Sequence, residues 1–319
     1  MGTQADRLEA SGAAWKTRLQ LQSLKQSPRP ASDTFEFAVL GDVEPCRFRL
    51  LRWLFNQPSV FPRQIDSIQG HQIDFTVQLG DMVSKGLPHY YQGFFDELGG
   101  LKVEKPYLTV IGNHDRSKPN GKSHSTMYRR LFGKSNYFFD HGGARFIVLD
   151  SSAKKVTKAQ LKWLGLVLDT PLRKLVFTHM PPSLLGLWGA GAAHSMGGFI
   201  LGARKFVQLM SERGVERVYM GHVHAFGVQD YKGVRYVLTG GGGSALFPSG
   251  SADLYHHYLT VTVGPDGVRD RVHPMDGASF TIPNGKVILQ EAPIHSLWEG
   301  LKAAVRRLAD LPEREGATA

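Results

Sequence analysis

The run Phe37-Ala38-Val39-Leu40 ends on Gly41-Asp42, and the same construction returns four times along the chain. Phe75-Thr76-Val77-Gln78-Leu79 ends on Gly80-Asp81. Tyr107-Leu108-Thr109-Val110-Ile111 ends on Gly112-Asn113-His114-Asp115. Leu175-Val176-Phe177-Thr178 ends on His179, and Val218-Tyr219-Met220 ends on Gly221-His222-Val223-His224. A short apolar run bounded by glycine and polar residues reads as a buried strand. In open α/β sheets, functional groups gather beyond the carboxyl ends of the strands. Carboxylates, an amide and imidazoles are therefore expected to meet on one rim, where a polynuclear metal site can form.

Around these strands the pattern alternates. Helical stretches are predicted over Arg47 to Phe55, Tyr90 to Leu98, Lys158 to Leu168 and Arg204 to Arg213. Alternation of this kind predicts crossovers and parallel pairing. Asn136 to Phe139 and Phe146 to Leu149 read as another strand pair. Past Gly221 the rhythm changes to short strands at Phe226 to Tyr231, Val234 to Leu238, Tyr258 to Val263 and Val268 to Val272, with a strong turn at Pro265-Asp266-Gly267. This half reads as antiparallel. The expected fold is a four-layer α/β/β/α sandwich, with two mixed β-sheets and helices outside.

The chain has 319 residues, of which 42% are apolar and 21% charged, an ordinary globular composition. No apolar run approaches the roughly 20 residues that span a bilayer. No signal peptide is read at the N-terminus, so a cytoplasmic location is expected. The Met1-Gly2 start lacks the Ser or Thr that myristoylation wants at position 6, where Asp6 stands. A single cysteine, Cys46, excludes an internal disulfide framework and reads as a small buried residue. The net charge of +10 favours anions such as phosphate esters, nucleic acids or acidic lipids.

Three segments are expected. Residues 1–34 form an N-terminal extension, with a weakly amphipathic helix carrying Leu8, Trp15, Leu19 and Leu24 and a Pro/Ser-rich linker. Residues 35–290 form the catalytic domain. Residues 291–319 hold a basic amphipathic helix, Ile294 to Leu308, that packs on the core or touches a membrane surface peripherally. Leu184 to Gly198 is apolar and glycine-rich and reads as a mobile wall over the site, with His194 near substrate. Gly240 to Gly243 permits close backbone approach to the metal rim, and lacks the helix and Lys-Ser/Thr ending of a nucleotide loop.

Taken in order, Gly80-Asp81, Gly112 to Asp115, His179 and Gly221 to His224 resemble the calcineurin-like metallophosphoesterase superfamily, over about Phe35 to Val272. The resemblance implies two metal ions (Mn, Fe or Zn). Asp42, Asp81 and His224 would hold one, and Asp81, Asn113, His179 and His222 the other. His114 would act on the phosphoryl group, oriented by Asp115, while a water or hydroxide bridging the ions attacks phosphorus in line. The chain departs from the pattern at Asp42-Val43-Glu44, where the family usually has Asp-x-His. Glu44 either supplies a carboxylate ligand, favouring Mn or Fe, or turns away. Purple acid phosphatases also lack that His but use a Tyr shortly after Gly-Asp, and Asp81-Met82-Val83-Ser84 has none.

The expected function is hydrolysis of a phosphate mono- or diester. A nuclease is the runner-up on charge alone, since no interleaved aromatic and basic platform for nucleic acid is visible. A binding or scaffold protein on the same fold is the rival from another class. It would be expected to lose His114 or a bridging ligand, and both are present.

Overall fold

The computed structural model describes residues 4–44, 59–118, 123–183, 185, 198–244, 246 and 255–283. The predicted helix over Arg47 to Phe55, Cys46, most of the Leu184 to Gly198 wall with His194, and the helix from Ile294 to Leu308 lie outside these residues.

Among the described residues, two six-stranded mixed sheets form the centre. The first contains β1 (Phe35–Leu40), β2 (Ile73–Gln78), β3 (Tyr107–Thr109), β10 (His257–Gly264), β11 (Gly267–Pro274) and β12 (Phe280–Thr281). Its order is β12-β11-β10-β1-β2-β3. The second contains β4 (Tyr137–His141), β5 (Ala144–Leu149), β6 (Arg173–Thr178), β7 (Arg217–Met220), β8 (Phe226–Tyr231) and β9 (Val234–Thr239), in the order β4-β5-β6-β7-β9-β8. The strands past Gly221 divide between the sheets. β8 and β9 pair antiparallel in the second, with β9 parallel to β7, while β10 and β11 join the first beside β1.

The sheets face each other across a core rich in aromatic rings. Phe37 stacks on Phe75 at 5.0 Å and meets Phe146 edge-on at 5.4 Å, and Phe177 stacks on Tyr219 at 5.2 Å. Burying one such ring fully contributes about 1.5–3 kcal/mol. Helices cover both outer faces. Against the first sheet lie α1 (Gln4–Gly12), α3 (Phe61–Gln69), α4 (Pro88–Gly99) and α5 (Thr126–Leu131). Against the second lie α6 (Lys158–Val167) and α7 (Ala203–Glu212). Thr157 and Gln160 close a reciprocal capping box at the start of α6.

The N-terminal extension is not one helix. Lys16 takes an extended conformation and separates α1 and a 3₁₀ turn from α2 (Thr17–Leu24). Leu8 is buried with Phe95 of α4, and the backbone N–H of Tyr107 on β3 donates to Gln20 at 2.7 Å. These contacts cover the open edge of the first sheet.

Register sets the functional rim. Leu40 lies beside Gln78, and Gln78 beside Thr109, in three parallel strands. In the second sheet Thr178 lies beside Met220. The chain segments leaving these strand ends therefore emerge on one side of the sandwich, within reach of one another.

Candidate metal centre

Asp42 follows β1 and is fully buried. Its carboxylate accepts the backbone N–H of His222 at 3.1 and 3.0 Å, joining the rim of one sheet to that of the other. Its Oδ1 lies 3.7 Å from Nε2 of His224. His222 and His224 both reach the centre, but strand alternation is not the reason. β7 stops at Met220, His222 has a φ of +71°, and tight turns run from Gly221 to Val223 and from Val223 to Ala225.

Asp81 follows β2 with a φ of +50°. Its Oδ1 accepts the backbone N–H of His114 at 2.8 Å, and its Oδ2 lies 3.3 Å from Nε2 of His179. That nitrogen is also 3.0 Å from Oδ1 of Asn113. The other ring nitrogen of His179 donates to the carbonyl of Leu79 at 2.8 Å, which turns Nε2 toward the carboxylates. Gly112 is required here, because a Cβ at that position would lie 2.1 Å from Asp81 Oδ1.

Two donor groups result. Ligand atoms of Asp42, Asp81 and His224 lie within 4.8 Å of one another, and so do those of Asp81, His179 and His222. Asp81 belongs to both. A third group joins Glu44, Asp81 and His114. Glu44 is buried beside the His114 ring, with Oε1 3.2 Å from Nδ1, and its Oε2 accepts from Ser244 at 3.0 Å.

Asp115 does not orient His114. Its carboxylate accepts the backbone N–H groups of Gly112, Asp81, Met82 and Val83 at 2.7 to 3.3 Å. It pins the loop after β2 to the loop after β3. Nδ1 of His114 instead donates to the carbonyl of Ser84 at 2.9 Å.

The electrostatics fit a bound cation. Burial opposes the charged form of His179, yet Asp81 and Asp42 carry its pKa up to about 10. Burial likewise opposes ionisation of Asp81, but the neighbouring His179 and His114 hold it far below the ordinary carboxylate range. Burial raises Asp42, and burial together with the charge of His179 presses His222 down to about 3. Nε2 of His222 is buried and has no hydrogen-bond partner among the described residues. An unpartnered imidazole nitrogen grouped with the buried Asp81 carboxylate and the His179 ring is the donor set that a borderline metal ion completes.

Sequence reading missed two supporting residues. Gln78 donates to the carbonyls of Gly41 and Gly80 at 2.6 and 2.8 Å and accepts from the Tyr107 hydroxyl at 2.7 Å, tying both Gly-Asp turns together. An amide inside an apolar strand was the available signal. Ser244 closes the glycine run, donating its backbone N–H to the Asp42 carbonyl at 3.0 Å. The run itself approaches as expected, since a Cβ on Gly240 would lie 2.1 Å from the carbonyl of Val223. His257 is a core residue, bonded to Thr239 and to the Tyr255 carbonyl at 2.9 Å each.

The calcineurin-like phosphoesterase family model matches residues 35–226, which contain all of these donors. The chain belongs to the calcineurin-like phosphoesterase family. Solved relatives share the fold. Purple acid phosphatase PPD1 from yellow lupin seeds matches with a TM-score of 0.61 at 16% identity, over 85% of this chain and 58% of that one. This phosphoesterase-family chain thus spans less than two thirds of the lupin protein. GAP50, the anchor in the inner membrane complex of Plasmodium, matches with a TM-score of 0.58 at 16% identity, over 90% of this chain and 97% of that one. At such identity the likeness is one of fold. No curated protein matches significantly in sequence. Among the described residues, no helix is long and apolar enough to cross a membrane.

Proposed function

We propose that the chain is a dinuclear metal-dependent phosphoesterase that hydrolyses phosphate mono- or diesters. The observation that carries this reading is Asp81, whose carboxylate is common to all three donor groups, among them the Asp42–His224 and the His179–His222 sets. Asp42, Asp81 and His224 would hold one ion. Asp81, Asn113, His179 and His222 would hold the second. Mn, Fe and Zn all suit this mixture of oxygen and imidazole donors. Bound there, a metal pair supplies Lewis-acid polarisation of the phosphoryl oxygens and lowers the pKa of coordinated water.

The protein's own groups do the rest. The backbone N–H of His114 on Asp81 fixes that histidine beside the donor groups. Its ring is a fifth exposed, unlike the fully buried Asp42 and His179 side chains, so a substrate oxygen can reach it. It gives a proton to the leaving oxygen, a role that typically contributes on the order of 10²–10⁴ in rate. The positive net charge draws the anionic ester toward the rim.

Reconstitution with Mn, Fe and Zn in turn, followed by assays on aryl mono- and diesters, tests the reading. Nucleotides, phosphoproteins and phospholipid headgroups extend the screen. Two ions per chain and hydrolysis that a chelator abolishes are expected. Absence of hydrolysis across the panel by a fully loaded protein would refute the enzyme and leave a binding protein on this fold.

A further inference from the structure

The β4–β5 hairpin turns on Gly142 and Gly143, which have φ values of +54° and +74°. Two successive left-handed residues make the tight turn that closes a hairpin. Each glycine is met by another part of the chain. A Cβ on Gly142 would run into the Phe35 ring, and one on Gly143 would lie 2.9 Å from Cβ of Ala31 in the linker after α2. Between this turn, the linker and the end of α2 lies a cavity of about 420 Å³. Register places it at the end of the sandwich away from the metal centre. Ala144 pairs with Arg173 at the start of β6, whereas His179 follows the end of that strand, roughly 20 Å away at about 3.3 Å per residue.

Packed interiors leave few voids larger than a water molecule, and this volume falls in the range of small-molecule sites. The walls are fixed by the protein itself. The Asp74 carboxylate on β2 accepts Nε and Nη2 of Arg29 from the linker at 2.8 Å each, and lies 2.8 Å from Nε2 of His141 at the end of β4. One carboxylate thus ties the linker and the hairpin to the first sheet. The floor is apolar. Leu24 and Phe139 belong to the core between the sheets, and Leu21 and Leu172 also line the cavity.

The rim decides the charge of an occupant. Asp140 is already taken, since its two oxygens accept Nε and Nη2 of Arg145 at 2.8 Å each. Asp74 is taken by Arg29 and His141. Among the described residues, no salt bridge or side-chain hydrogen bond engages Lys25, and Nη1 of Arg29 has no acceptor. An ammonium and one arm of a guanidinium are left to meet an anion above an apolar floor.

We propose that this cavity binds an anionic amphiphile, a long-chain carboxylate whose chain lies on Leu24 and Phe139 and whose head takes Lys25 and Nη1 of Arg29. The site is separate from the metal centre and does not depend on hydrolysis.

Calorimetric titration of the full chain tests this, with a chelator present so that no metal ion holds the carboxylate. Dodecanoate, kept below its micellar concentration, should bind as one molecule per chain. Dodecyltrimethylammonium, with the same chain and a cationic head, should bind at least about 10-fold more weakly. Lys25→Glu should weaken dodecanoate by on the order of 10-fold or more, while Lys205→Glu, the same charge change on α7, leaves it unaltered. Leu172→Trp, which crowds the cavity, should abolish binding. Circular dichroism checks that each variant is folded, and if Leu172→Trp is not, Lys25→Glu and the cationic probe still decide. No binding of dodecanoate by the wild type, several molecules per chain, equal affinity for the two amphiphiles, or binding undiminished by Lys25→Glu would each overturn the site.

Discussion

Nε2 of His179 lies 3.3 Å from Oδ2 of Asp81, with both side chains shut away from solvent. One residue leaves β6 in the second sheet and the other leaves β2 in the first, so the donor groups straddle the two halves of the sandwich. The Leu79 carbonyl on Nδ1 allows the ring only this orientation. His179→Ala should therefore lose about one of two bound metal equivalents and keep the Asp42 group. Elemental analysis checks this, and retention of both ions would remove His179 from the donor set.

His114→Ala should bind metal like the wild type and lose activity by on the order of 10²–10⁴. Elemental analysis beside steady-state rates separates the roles. A fall in metal content that tracks the fall in rate would make His114 a ligand.

Asp115→Ala is expected to act on stability first. It leaves buried backbone N–H groups of Asp81, Met82, Val83 and Gly112 without their acceptor. An unsatisfied buried donor costs about 1–3 kcal/mol, so Tm should fall by on the order of 10 °C or more. Thermal unfolding checks it, and an unchanged Tm would mean that other acceptors take over those amides.

Asp74 gives a pH dependence away from the metal centre. Burial opposes its ionisation, but hydrogen bonds from His141 and Arg29 outweigh burial and lower its pKa to about 2. The folded value lies below the unfolded 3.8, so this contribution is present above about pH 4 and is lost as pH falls through about 2. With Arg29 partly exposed, on the order of 1–2 kcal/mol is at stake. Asp74→Asn should flatten the acid limb of a stability-versus-pH curve, and an identical limb in both proteins would contradict the assignment.

The sandwich and most of the centre were legible because apolar strands ending on Gly-Asp, Gly-Asn-His-Asp and Gly-His-x-His carry their own boundaries. Other features depend on partners distant in sequence. The α3 helix was missed although Phe61, Ile65 and Ile68 lie on its buried face, and Pro62 occupies a first-turn position that needs no N–H. Nothing local to Asp115 says that it faces four amides, since that follows from the left-handed turn at Asp81. The same holds for Glu44, whose orientation is set by Ser244, 200 residues away. The reach of His222 and His224 was anticipated, but turns produce it and not strand alternation.

The central claim is that Asp81 serves two metal ions at once. Metal stoichiometry of the wild type and of Asp81→Ala, measured after reconstitution together with hydrolysis of an aryl phosphate, tests it most directly. Two ions per wild-type chain, with sharply reduced metal and no turnover in Asp81→Ala, is the predicted result. Full metal content in Asp81→Ala would contradict the shared carboxylate, and with it the dinuclear centre proposed for this chain.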